Sequence, residues 1–160
     1  MPGENELPGR RRICRGWCRN RPQDNTHVSY NSFDARYPKT QGAFLRDAFG
    51  TDYVSIGFSF YKGSFAAFGT DDAVIRTYSV GAAKPGTNER TLDKARQEDY
   101  ILDMRTAPDS ARAWLDQERV TWNIGAGWPD PTEYKTALGR AHDILIHLHD
   151  VRATKHLGTP

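Results

Sequence analysis

Hydrophobic and polar positions alternate strictly from Tyr53 onward: Val54, Ile56, Phe58 and Phe60 fall on one side, Ser55, Gly57 and Ser59 on the other. A period of two over such a run predicts a strand with one large-residue face and one small-residue face. The large face is expected to be core. The serine and glycine face is expected to let another element, or a ligand, approach the backbone closely. Tyr61-Lys62-Gly63 reads as a turn whose glycine can take positive φ, and Ser64 to Phe68 as the next strand, so a hairpin is expected near Gly63.

Around this run the pattern alternates between helical and strand periods. Thr40 is placed to cap a helix from Gln41 to Phe49, with Phe44, Leu45, Ala48 and Phe49 as its inward stripe and Gly50 as its stop. Val74 to Val80 reads as a strand, and Gly81 to Thr87 as a loop. Asn88 reads as the cap of a helix through about Gln97, with Glu89 well placed near its positive end. Tyr100 to Met104 is a short apolar strand, where Asp103 and Arg105 share a face and can pair. Pro108 opens a helix with Ala111, Trp114 and Leu115 inward, and Val120 to Ile124 is a further strand. Asp130-Pro131 is expected to open a short helix with Tyr134 and Leu138 inward and Gly139 behind it, before a buried strand over His142 to Leu148. Strands alternating with helices imply an α/β fold, a mixed sheet with flanking helices.

The totals narrow the classes. A chain of 160 residues most simply makes one domain. No apolar run approaches the roughly 20 residues of a membrane helix, and the start lacks a signal-peptide core, so a cytoplasmic protein with no membrane partner is expected. A formal charge of +2 is too small to argue for nucleic acid by itself. Cys14 and Cys18 are the only cysteines, too few for a zinc site or a disulfide scaffold. His147 and His149 project to one face of their strand at a spacing compatible with a metal, but no third ligand is evident, and the alternative is an edge or cleft-facing polar pair. Gly125-Ala126-Gly127 lacks the rest of a dinucleotide fingerprint. No cofactor and no metal are expected.

Met1 to Gln23 has another texture: Arg10, Arg11, Arg12, Arg15, Arg19 and Arg21 among prolines and glycines, with no apolar period. It reads as a disordered basic tail, with a nucleic-acid-binding arm as the alternative.

Several segments carry a resemblance. Gly42-Ala43-Phe44-Leu45-Arg46, then Phe49-Gly50-Thr51-Asp52-Tyr53-Val54-Ser55-Ile56-Gly57-Phe58, then Gly63-Ser64-Phe65 resemble the erythromycin esterase family in order and spacing. So do Leu102-Asp103-Met104-Arg105 and the ending Val151 to Leu157. Asp24-Asn25-Thr26-His27-Val28 is similar to the family's Ala-His-Asn-x-His-Val motif at the mouth of its active-site cleft. Asn25, His27 and Val28 match, while Gln23 and Asp24 replace alanine and the first histidine.

The resemblance covers about residues 24–158 and implies the carboxy-terminal part of a larger fold. It also implies a hydrolase in which a histidine activates water against a macrolide lactone ester, although other members belong to succinoglycan biosynthesis. His27 is then the candidate catalytic residue, and Asn25, Arg46 and Glu89 the candidate substrate contacts. For His27 the alternative is an ordinary surface histidine, for Arg46 a solvated face or a structural salt bridge, and for Glu89 helix capping. In the family an apolar strand runs into the Ala-His-Asn-x-His-Val motif, and the arginine-rich text in its place suggests that residues 1–23 are an out-of-frame reading joined to a genuine family segment, while the family's principal His and Glu motifs come from its amino-terminal part. Little or no esterase activity is expected from this chain alone. The other reading is a non-catalytic remnant, or a half that needs a complementary chain or associates with itself.

Overall fold

The computed structural model describes residues 25–32, 37–96, 98–125, 127–130 and 133–154. The basic segment Met1 to Gln23, Asp24 and the last part of the ending lie outside the described residues.

The fold is α/β, as the alternation of periods requires. Its centre is β1 (Ile56–Gly69), a strand of 14 residues. β1 pairs antiparallel with β2 (Ile75–Val80) on one side and parallel with β7 (Ile144–Val151) on the other, and β7 pairs antiparallel with β3 (Tyr100–Asp103). The order β2-β1-β7-β3 makes a mixed sheet, to which β5 (Gly127–Trp128) adds a short parallel contact with the end of β1. A separate small sheet joins β4 (Arg119–Thr121) to β6 (Tyr134–Thr136). The helices are α1 (Asn25–Val28), α2 (Gln41–Phe49), α3 (Asn88–Arg96), α4 (Asp109–Leu115) and α5 (Leu138–Ala141). The apolar core is Leu92, Met104, Leu115, Leu138 and Leu145, lying between α3, α4, α5 and one face of the sheet.

Several expectations are corrected. The chain does not turn at Gly63: β1 runs straight through it, and the reversal comes at Gly69–Ala73, where Ala73 N–H donates to Gly69 O at 2.9 Å. Gly63 is needed for another reason. Its φ is +132°, and a Cβ there would stand 2.1 Å from the carbonyl oxygen of Val151.

The faces of β1 are also the reverse of the expectation. Ser55, Gly57 and Ser59 point into the protein, while Ile56 and Phe58 are 42% and 55% exposed. The same inversion holds for α2: Phe44 and Phe49 face outward, and the helix docks through Gly42, whose missing side chain leaves room for Val28 O. Finally, residues 134–136 form β6 rather than the first turn of a helix, because Tyr134, Lys135 and Thr136 pair with Thr121, Val120 and Arg119. Gly139 lies inside the short α5 against Leu115 instead of behind the helix.

Smaller features follow the sequence closely. Thr40 caps α2 by accepting from Ala43 N–H at 3.0 Å. Asp103 and Arg105 form a two-pronged ion pair, with Nε to Oδ1 at 2.9 Å and Nη2 to Oδ2 at 2.6 Å. The cap of α3 is Thr87, one residue earlier than expected: its Oγ1 accepts from Arg90 N–H at 3.2 Å, and Asn88 is buried against Thr136 O instead.

Candidate active site

The residues around His27 are held by an unusual density of polar contacts. α1 is a single turn set against the edge of β1 that β7 does not occupy. There the Asn25 amide acts as a substitute strand: its Oδ1 accepts from Phe58 N–H at 2.8 Å and its Nδ2 donates to Phe58 O at 2.5 Å. The far end of the turn is fixed at Val28, whose carbonyl accepts from Ser55 Oγ at 2.7 Å. His27 lies between these two anchors with an exposed side chain. Those bonds keep it on a helical turn.

Behind α1 sits a carboxylate hub that the sequence reading did not find. Asp143, at the entry to β7, accepts from Arg46 Nη2 at 2.9 Å, from Ser55 N–H at 2.9 Å and from the Tyr30 hydroxyl. Its side chain is 8% exposed and that of Arg46 34%. Arg46 also donates to the carbonyls of Tyr53 at 2.8 Å and Gly50 at 3.2 Å, and its guanidinium lies 4.7 Å from the centroid of the Tyr30 ring. Burial first, then the hydrogen bond to Asp143 and its charge, raise the Tyr30 hydroxyl well above the ordinary tyrosine range, so it stays a donor.

Beside the hub, His142 Nδ1 lies 2.9 Å from Ser55 Oγ, and its ring fills the space that Gly57 leaves. Since the Ser55 hydroxyl donates to Val28 O, Nδ1 carries the proton shared with Ser55. Burial lowers the His142 pKa to about 4, against a smaller opposing pull from Asp143.

Of the four residues expected at a site, Asn25, His27 and Arg46 belong to this one corner. Glu89 does not. It lies in the first turn of α3, 2% exposed, where Oε1 accepts from Trp122 N–H at 3.0 Å and from the Thr121 hydroxyl, and buried Oε2 has no partner among the described residues. Burial raises its pKa, opposed by those hydrogen bonds. The side-chain amide of Asn25, both terminal nitrogens of Arg46 and Oε1 of Glu89 are therefore already bonded within the protein.

The histidines of β7 do share a face, the one covered by α3, and they meet a carboxylate the sequence could not place. Asp93 Oδ1 is 2.6 Å from His149 Nδ1 and 3.7 Å from His147 Nε2. His147 is fully buried, with Nδ1 3.2 Å from Ser59 Oγ. No cluster of three His, Cys, Asp or Glu with metal-holding geometry exists among the described residues.

Hidden residues such as Asp143 and Asp93 had one readable signal. The serine and glycine face of β1 leaves room for large neighbours, and the imidazoles of His142 and His147 occupy it.

Solved structures share this fold. A crystal structure from Bacillus cereus matches with a TM-score of 0.72 at 26% identity, over 80% of this chain and 32% of its own. A succinoglycan biosynthesis protein matches with a TM-score of 0.70 at 25% identity, over the same shares of 80% and 32%. A mutant of the erythromycin esterase EreC in its open conformation shares the fold, with a TM-score of 0.54 at 14% identity, over 84% of this chain and 32% of its own. The chain thus spans 32% of the length of each of these structures. No curated protein matches significantly. The family model described as erythromycin esterase matches residues 23–151, most of the chain, and the protein belongs to that family.

Proposed function

We propose that this chain carries one wall of a carboxylic ester hydrolase, with His27 as its acid–base residue, and that the full reaction is attack of water on a macrolide lactone. In that reaction an imidazole takes a proton from water as its oxygen bonds to the carbonyl carbon, and a positioned charge must meet the oxyanion. Asn25 and Arg46 enter as the residues that hold the His27 turn in place, through Phe58 and through Asp143. Glu89 secures the start of α3 to Thr121 and Trp122.

One observation carries the further reading that the chain does not complete this reaction alone. Across the sheet, Phe58 lies beside Ile146 and Ile146 beside Ile101, yet Phe58 and Ile101 are 55% and 70% exposed. An apolar sheet face of this kind needs a covering layer, and no described residue supplies it. A macrolide is large and must be positioned as well as attacked.

The test is incubation of the purified chain with erythromycin, reading the hydrated, ring-opened product by mass spectrometry. No turnover is expected. Turnover that disappears in His27→Ala would establish His27 and refute the need for more chain.

The same bare face favours a second reading, a half-protein that works only with a complementary chain or with a second copy. Light scattering separates the two: a clean monomer at all concentrations argues against association.

A further inference from the structure

The α3 face of the sheet holds a second acid–base pair, unconnected with His27. His149 Nδ1 stands 2.6 Å from Asp93 Oδ1. A carboxylate only accepts, so the ring proton is on Nδ1 and Nε2 carries the free lone pair. Asp93 is 5% exposed and cannot swing away, because it rides on α3 where Leu92 is in the core. The imidazole is clamped as well. It stacks on Tyr61 with ring centroids 5.5 Å apart, and its own backbone N–H donates to Asp99 Oδ1 at 2.8 Å.

The side chain of His149 nonetheless keeps 35% of its surface in water, and among the described residues none bonds its Nε2. A buried carboxylate on one nitrogen and solvent at the other is the orientation that makes an imidazole a general base. The contrast with His147 is sharp: two residues away on the same strand face, it is fully buried and out of reach of any reactant.

β1 and β7 pair in parallel from Ile56 and Ile144 to Gly63 and Val151, and Tyr61 and His149 lie side by side toward the carboxyl end of that paired segment, the end at which α/β sheets place their ligands. Arg90, in the first turn of α3, donates to the Tyr61 hydroxyl and so puts a guanidinium at the far end of the ring that stacks on His149. A base and a cation thus flank one aromatic platform.

We propose that His149, oriented by Asp93, is a second general base of this chain, able to activate water against small carboxylic esters. The choice of esters rests on the hydrolase reading above; the oriented imidazole does not. In the step, Nε2 takes a proton from water while the water oxygen bonds to the ester carbonyl carbon. The tetrahedral intermediate then expels the alkoxide, the carbon–oxygen bond breaks, and the imidazolium returns its proton to the departing oxygen. One water and one ester become an acid and an alcohol. A small activated ester needs no covering wall for positioning, so this activity does not depend on any further chain.

Two measurements on the full chain test it. Release of p-nitrophenol from p-nitrophenyl acetate between pH 6 and 8 should fall roughly a hundredfold above background in His149→Ala, the lower end for a positioned base, and stay unchanged in Lys135→Ala, an exposed position of β6. Independently of activity, diethyl pyrocarbonate should modify His149 at Nε2, mapped by mass spectrometry, and long-range nitrogen NMR should show its Nδ1–H tautomer, with both signatures altered in Asp93→Asn while that variant keeps its circular dichroism. Equal p-nitrophenol release by wild type and His149→Ala would overturn the catalytic proposal. An unmodified His149, or a tautomer indifferent to Asp93, would overturn the orientation on which it stands. Neither result would bear on erythromycin turnover, so this inference and the His27 reading fail separately.

Discussion

His142 makes the stability of this fold depend on pH, and the size of the effect follows from its surroundings. The ring is 4% exposed, with Ser55 on one side and the backbone of Gly57 against it. Burial lowers its pKa from the ordinary 6.5 to about 4. Between those values the unfolded chain binds a proton that the folded chain refuses. The contribution is therefore fully present above pH 6.5 and is lost as pH falls towards 4. At about 1.4 kcal/mol per pKa unit the full loss is about 3 to 4 kcal/mol, a large share of a domain's stability.

Urea unfolding followed by tryptophan fluorescence at several pH values measures it. His142→Asn keeps a polar partner for Ser55 but does not titrate. Its absolute stability will be lower because the side chain is smaller, so the informative quantity is the slope. Between pH 7.5 and 4.5 the variant should lose about 2 kcal/mol less than wild type. His147, whose pKa burial also lowers, acts in the same direction, and Glu89, whose pKa burial raises, acts in the opposite one. Both are present in the two proteins and cancel in the comparison. Parallel pH profiles would refute the assignment.

Three further outcomes are expected. Gly57→Ala puts a Cβ within 2.7 Å of the His142 ring, so thermal unfolding should show a loss of about 1–3 kcal/mol from overpacking, and an unchanged melting temperature would mean the ring is free to move. Asp143→Asn should cost about 3 kcal/mol in urea unfolding, the lower end for breaking a buried pair because Arg46 keeps 34% of its side chain in water; a loss under 1 kcal/mol would show that the hub is not structural. Phe58→Asp combined with Ile101→Lys should leave stability within about 1 kcal/mol of wild type, since both side chains are more than half exposed, while reducing self-association in small-angle scattering. Association that persists in the double variant would place the contact elsewhere.

The class of fold was legible because it depends on period. Alternation around Phe58, the capped stripe of α2 and the turn-bounded apolar strand at β7 each name an element without reference to anything distant. Which face of an element is inside depends instead on what lies across from it. Ile56 and Phe58 are apolar and Ser55, Gly57 and Ser59 are not, so the pattern assigns the first set to the interior. In the structure, Ser55 and Ser59 are partners of His142 and His147, and the apolar set faces outward. The inference from hydrophobicity holds for a chain that covers all of its own surfaces. It inverts on a sheet whose second face is bare among the described residues.

The candidate site divides along the same line. His27 and Asn25 are neighbours in sequence, so a local motif locates them. Asp143 meets Arg46 across 97 positions and Ser55 across 88, and Asp93 meets His149 across 56. Nothing in a single sequence ties such residues together before the sheet is assembled. Once it is, both carboxylates prove to be the groups that fix a histidine region in place: Asp143 anchors the floor beneath His27, and Asp93 sets the proton on His149. The chemistry nearest to solvent was readable as residue type. The carboxylates that orient it became visible only with the register of β1 on β7, because that register carries Ser55 and Ser59 to His142 and His147 and aligns His149 beneath α3.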